Sequence, residues 1–261
     1  MRRLGAWFVI WHSATAVYGQ RHSSESHPIS FFVIVARQRS SSTYLTTSIH
    51  ERLMSENGSA VWLTDEPWIS AHDRPHNREI DQICDWSPAL RMDNPHAFLQ
   101  ALRSSWCNKH FHHAPVKVNC ILVLKLFDIH FTMHSRRGSV DVLAALFSDP
   151  GARIIVLERD PAAEQCSLRW ANLSHHWWLP STPAASRVAY EKFKETSCGA
   201  AAPSSEDEQE AYRSHVEWFS TVHAALRIAP GALERSLNVT YQENVEHHEA
   251  LMSRINAKFL K

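Results

Sequence analysis

The chain reads as an α/β protein of three layers, α/β/α, with helices on both faces of a mainly parallel central sheet. Two observations predict this. Three runs, Phe31–Ala36 (FFVIVA), Cys120–Phe127 (CILVLKLF) and Arg153–Leu157 (RIIVL), are nearly continuous in apolar residues and rich in β-branched or aromatic ones, the pattern of strands covered on both faces. Segments of helical spacing lie between them, and strands that alternate with helices pair in parallel. At 261 residues the chain is long enough for one sizeable core of this class.

The elements follow in order. Arg2 and Arg3 precede the apolar run Leu4–Trp11, and Ala14-Thr15-Ala16 supplies a small-x-small site. That arrangement suggests a compact secretory signal in residues 1–28, the alternative being a flexible segment. Its eight apolar residues fall short of the roughly 20 needed to cross a bilayer, so no integral span is expected. A single domain is expected over residues 29–261.

Phe31–Ala36 is the first strand, and Leu45, Ile49, Leu53 and Met54 mark the helix after it. Ala60–Leu63 is a short second strand. Residues 65–93, rich in Asp, Pro, Trp and His without a period, read as a long irregular or partly helical insertion. Asn94-Pro95 starts a helix over Phe98–Trp106. Cys120–Phe127 is the next strand, with Lys125 near its end, and Val140–Phe147 is a short amphipathic helix. Arg153–Leu157 leads through Asp160-Pro161 into a helix that runs to about Ser174. Residues 197–208 (SCGAAAPSSEDE) read as a low-complexity loop. Glu210–Arg227 is a helix, Leu237–Tyr241 a late strand and Val245–Leu260 a terminal helix.

Composition narrows the function. The 27 basic and 27 acidic side chains cancel, which disfavours general nucleic-acid binding. Seven glycines are too scattered for G-x-G-x-x-G or for G-x-x-x-x-G-K-[ST], so neither a dinucleotide fingerprint nor an ordinary P-loop is present. Five cysteines without a C-x-x-C pair argue against zinc ribbons and thioredoxin motifs and leave room for one or two disulfides. The 18 histidines include His130 and His134 at i, i+4 and a cluster at His110, His112 and His113. H-E-x-x-H is absent, and no metal is expected.

In parallel sheets, ligands bind at the carboxyl ends of the strands. The first strand ends in Arg37-Gln38-Arg39-Ser40-Ser41-Ser42-Thr43. A strand-to-helix loop aims free backbone N–H groups at one point, which suits an anion. Ser40, Ser42 and Thr43 add hydroxyls, and Arg39 adds a planar cation matched to phosphate or sulfate. The strand Arg153–Leu157 is followed by Arg159, with Ser167 eight residues further on in the next helix. That pair can close on a second phosphate.

Arg39-Ser40-Ser41-Ser42-Thr43 after FFVIVA resembles the R-S-G-S-T form of the 5′-phosphosulfate loop of sulfotransferases. Arg159-Asp160-Pro161 with Ser167 resembles their 3′-phosphate motif, and Leu237–Tyr241 resembles their late strand. The resemblance covers roughly residues 30–260. It implies a P-loop-NTPase-like fold and 3′-phosphoadenosine 5′-phosphosulfate (PAPS) as sulfuryl donor, with PAP as its product. Arg39, Ser40, Ser41, Ser42 and Thr43 would then hold the 5′-phosphosulfate, and Arg159 and Ser167 the 3′-phosphate.

Asp65-Glu66-Pro67-Trp68 resembles the Glu-Pro-Phe segment of carbohydrate-type and nodulation-type members, which implies Glu66 as the base that accepts the acceptor's proton. His130 is the rival base, although it stands five residues from Lys125 rather than the two that the cytosolic members show. Lys125, at a buried strand end, is costly unless it meets an anion or carboxylate, and it is assigned to charge stabilisation. Two positions depart from the family: Ser41 replaces the loop glycine, and Gln242 stands where the late motif has Glu.

The expected acceptor is a small molecule or glycan hydroxyl, with Trp62, Trp68 and Trp86 flanking its side. The alternatives are a non-catalytic nucleotide-binding member of the fold and a kinase-like P-loop protein. The secretory pathway or Golgi lumen is the expected compartment, with the cytoplasm as alternative.

Overall fold

A computed structural model of the chain describes residues 28–37, 40–55, 59–68, 78–83, 86–112, 118–134, 138–174, 184–198 and 206–260. The signal-like segment and Arg39 therefore lie outside the described residues. Each expected strand forms: β1 (Phe31–Val35), β2 (Ser59–Asp65), β3 (Asn119–Leu126), β4 (Ala152–Glu158) and β5 (Ser236–Thr240). They make one five-stranded sheet in the order β2-β3-β1-β4-β5. Every pairing is parallel, and Phe31 at the start of β1 faces Leu122 on one side and Ala152 on the other.

Side chains alternate across the sheet, and both sets are buried. Phe32 and Ile34, with Ile121, Val123, Ile155 and Leu157, meet Leu45, Ile49 and Leu53 of α1 (Ser42–Met54). Leu251, Ile255 and Phe259 of α11 (His248–Phe259) complete that layer. The opposite set, including Phe31, Val33 and Val35, packs on α4 (Pro95–Phe111), α6 (Ser139–Phe147) and α9 (Glu206–Ile228) through Phe98, Leu102, Val142, Leu146, Trp218 and Val222. The three-layer architecture is thus present, and its sheet is entirely parallel.

The stretch 65–93 is partly helical, one of the two forms expected of it. Two short helices form there, α2 (Arg78–Ile83) and α3 (Pro88–Asp93). Pro88 fits the first turn, where its missing N–H costs nothing, and the Ser87 hydroxyl accepts from Leu90 N at 3.3 Å. Arg91, 2% exposed, holds the insertion together: it donates to Trp86 O at 2.7 Å, to Pro67 O at 2.9 Å and to Asp81 Oδ1 at 2.5 Å.

α5 (Ile129–His134) follows β3, α7 (Pro161–Ser174) follows β4, and α8 (Ala184–Ser197) occupies a stretch for which no element was expected. The terminal helix is two: α10 (Tyr241–Glu246) and α11, separated at His247. α10 starts in a capping box, with the Thr240 hydroxyl accepting from Glu243 N at 3.2 Å and the Thr240 N–H donating to Glu243 Oε2 at 2.8 Å. Two disulfides form, Cys107–Cys120 between α4 and β3 and Cys166–Cys198 between α7 and the end of α8. Among the described residues, no helix is long and apolar enough to cross a membrane.

Candidate functional site

α1 leaves β1 toward one face of the sheet, whereas α5 and α6 leave β3 toward the other, as Phe131 and Val142 show by their place in the opposite core layer. Chains that part in this way open a crevice at the carboxyl ends of the two strands. Ser40, Ser41, Ser42 and Thr43 follow β1 there, and Lys125 and His130 stand at and just beyond the end of β3.

The loop after β1 is held by its own polar groups. The Ser40 hydroxyl donates to Arg37 O at 2.6 Å, and Ser40 and Ser42 are buried. Ser41, which caps α1, has φ 60° and ψ 24°, the left-handed region. Among the described residues it is the one non-glycine residue with positive φ. An L-residue there costs about 1 kcal/mol, and this is the conformation that glycine adopts freely. Serine at this position therefore keeps a glycine-type turn. The fully buried Asn244 of α10 steadies it, donating from Nδ2 to Ser41 O at 3.1 Å, and the same carbonyl accepts from Leu45 N at 3.2 Å.

Thr43, in the first turn of α1, is exposed, and its Oγ1 accepts from Lys125 Nζ at 3.0 Å. Lys125 is 4% exposed at the end of β3, and its Nζ stands 3.6 Å from Oε1 of Glu66, itself 4% exposed. The other carboxylate oxygen, Oε2, stands 3.5 Å from His130 Nε2. Thr43, Lys125, Glu66 and His130 thus form one line from the phosphate-type loop to the β3–α5 turn. The two rival bases of the sequence are neighbours.

The five-residue gap between Lys125 and His130 is closed by a tight turn, with His130 N donating to Phe127 O at 3.1 Å. The same turn fixes the imidazole. Phe127 N–H donates to Nδ1 at 3.2 Å, so in the neutral ring the proton sits on Nε2, facing Glu66. Nε2 is buried without a hydrogen-bond acceptor at good distance. In this arrangement the Nε2–H faces the carboxylate from 3.5 Å without a hydrogen bond to it, and Glu66 is the group able to take a proton. Trp68 packs beside them with its ring centroid 5.9 Å from that of His130, and at 1% exposure it is core. It is therefore not a stacking platform, and the half-buried Trp62 and Trp86 also pack against the core.

At the β4 end, Arg159 is 8% exposed and its guanidinium lies flat on the Tyr241 ring, 3.9 Å from the centroid. Asp160 caps α7, its Oδ1 accepting from Ala163 N at 3.0 Å. Ser167 lies in the second turn of α7, where its hydroxyl donates back to Ala163 O at 3.0 Å. The loops after β1 and β4 therefore flank adjacent strands of the sheet.

Sequence reasoning missed a second polar cluster beneath these loops, built on Arg37, Asp128, Glu164 and His215. The one signal for it was a charged residue at the end of each apolar strand. Among the described residues, no group of three or more His, Cys, Asp or Glu side chains converges as a metal cage does. Compared with protein-family models and with curated proteins, the chain gives no match.

Proposed function

We propose that the chain is a PAPS-dependent sulfotransferase that moves a sulfuryl group to a hydroxyl, with a carbohydrate as acceptor. The observation that carries this reading is the line from the exposed Thr43 through the buried Lys125 to Glu66 and His130 at the carboxyl ends of β1, β2 and β3. It joins an anion-type loop to a carboxylate base through a single ammonium.

The residues present fit such a donor. Ser41 keeps the glycine-type backbone that the loop requires, and Thr43 lies exposed on the first turn of α1, where helix-end amides attract anions. Arg159 is held flat on Tyr241 at the end of β4. By resemblance, it is placed for the 3′-phosphate, with Ser167, and Arg39 for the 5′-phosphosulfate.

PAPS supplies the transferred sulfuryl group when bound. The protein's own part is acid–base and electrostatic. Glu66 accepts the acceptor hydroxyl's proton on a carboxylate oxygen as that hydroxyl oxygen becomes the nucleophile. His130 Nε2–H points its dipole at the carboxylate from 3.5 Å. The Lys125 ammonium, tied to Thr43, offers fixed positive charge between base and loop, in a site where burial strengthens its field.

Two disulfides favour an oxidising compartment, in line with the secretory lumen.

The test is transfer of labelled sulfuryl from PAPS to a panel of glycans by the wild-type chain and by Glu66→Gln. Labelled product is expected, with the variant slowed about 100-fold or more. Equal turnover by the variant would remove Glu66 from the mechanism. Absence of product with every hydroxyl acceptor, from protein that binds PAP, would leave a binding protein instead.

A further inference from the structure

Arg37 stands where β1 leaves the sheet, next to the loop that begins at Gln38, and its side chain is 12% exposed. Its Nε donates to Glu164 Oε1 at 2.9 Å, and its Nη1 donates to Asp128 Oδ2 at 2.8 Å and to Ser214 Oγ at 3.0 Å. The three acceptors belong to three elements. Asp128 lies in the turn after β3, two residues before His130. Glu164 lies in the first turn of α7, between Arg159 and Ser167, and Ser214 is on α9.

Glu164 is 3% exposed, and its second oxygen meets His215 Nδ1 at 2.9 Å. Beside this, Trp218 Nε1–H donates to Ala36 O at 3.2 Å. A buried carboxylate is tolerated only when paired. A planar guanidinium, moreover, fixes its acceptors at set angles, as an ammonium cannot.

We propose that Arg37 is a positioning residue: its guanidinium clamps the loop after β1 to the turn after β3 that carries His130 and to the helix behind the loop after β4. The inference rests on the reading given under Proposed function, in which those three segments hold the 5′-phosphosulfate loop, the imidazole that faces the Glu66 base, and the 3′-phosphate pair. Arg37 touches none of the reacting groups. It acts through Asp128 on the turn that carries His130, and through Glu164 on the helix that carries Ser167. Binding at the loop is thereby felt at His130, beside the base.

The experiment is amide hydrogen exchange on the full chain with and without saturating PAP, alongside PAP calorimetry, for the wild type, Arg37→Ala, Arg37→Lys and Asp128→Asn. PAP is expected to slow exchange in the Asp128–Phe131 turn of the wild type. Arg37→Ala binds PAP about tenfold more weakly, and at saturation the turn gains no protection. Arg37→Lys, which keeps the charge without the fork, does not restore it. Asp128→Asn severs only the arm to the turn, so it loses protection there and keeps it at the start of α7.

Equal protection of the turn by PAP in wild type and Arg37→Ala would overturn the proposal. Should Arg37→Ala fail to fold, the milder Asp128→Asn answers the same question by the same criterion. Should the wild type bind no PAP, the functional reading fails, and exchange without ligand decides the clamp. Faster exchange in the turn and in the first turn of α7 on loss of Arg37 or Asp128 supports it, and unchanged exchange overturns it.

Discussion

Replacing Lys125 by methionine keeps a long apolar side chain and removes the ammonium, whose Nζ lies 5.5 Å from the centroid of the Phe127 ring. Glu66 is then left 4% exposed with no cation at 3.6 Å. At an effective dielectric constant of about 20, two unit charges at that distance attract by about 5 kcal/mol. Breaking buried pairs from one side costs about 3–5 kcal/mol, because the survivor stays desolvated. The hydrogen bond to Thr43 adds about 1 kcal/mol to the loss.

Lys125→Met is therefore expected to destabilise the fold by about 3 kcal/mol or more. Glu66→Gln in the same chain should return a large part of that loss, since the buried charge is gone. The assay is urea unfolding followed by circular dichroism at neutral pH, with the slope against denaturant as a check that the unfolding reaction is unchanged. A loss under about 1 kcal/mol for Lys125→Met, or a double variant whose loss is the sum of the single ones, would refute the pairing as the reason this lysine can be buried.

Two further outcomes follow from the packing. Burial raises the pKa of the Glu243 carboxyl, but the Thr240 backbone N–H, Arg254 and the Thr240 hydroxyl outweigh it and hold the carboxyl below its usual 4.5. A lowered folded-state value stabilises above the unfolded value and is lost as pH falls through the folded one. The melting-temperature gap between wild type and Glu243→Gln should thus be full near neutrality and close below about pH 4.5; a gap that persists in acid would contradict this. The Cys166–Cys198 disulfide closes a loop of 32 residues, and loop-closure entropy values it at about 3–4 kcal/mol. Cys166→Ser/Cys198→Ser should melt well below the wild type in scanning calorimetry, and an unchanged melting point would argue against the bridge.

The strands were legible in the sequence because burial on both faces leaves an apolar run that nothing else in a soluble chain requires. Phe31–Ala36 and Arg153–Leu157 are the clearest instances. The insertion between β2 and β3 was not legible, because its order depends on Arg91, whose acceptors Pro67, Asp81 and Trp86 are scattered along the chain. Periodicity does not register such polar centres.

The same holds at the site. Glu66, Lys125 and His130 were each identifiable as a polar group at a strand end, yet Glu66 and His130 read as rival bases because spacing along the chain says nothing about distance across parallel strands. Asn244 and Arg37 were invisible for a related reason. Each acts on a backbone or carboxylate far away in sequence, Ser41 O for Asn244 and Asp128 and Glu164 for Arg37. Ser41 stands where the loop it resembles has glycine, and its left-handed backbone is likewise not legible in the sequence.

The central claim is that the loops after β1 and β4 together bind a nucleotide carrying both a 5′- and a 3′-phosphate. Titration calorimetry of the wild-type chain with PAP, with ATP and Arg159→Ala as controls, tests it most directly. The expected result is PAP binding that ATP does not match and that Arg159→Ala loses. Binding of ATP without PAP would point to a kinase-like protein, and well-folded wild type that binds neither would contradict the claim.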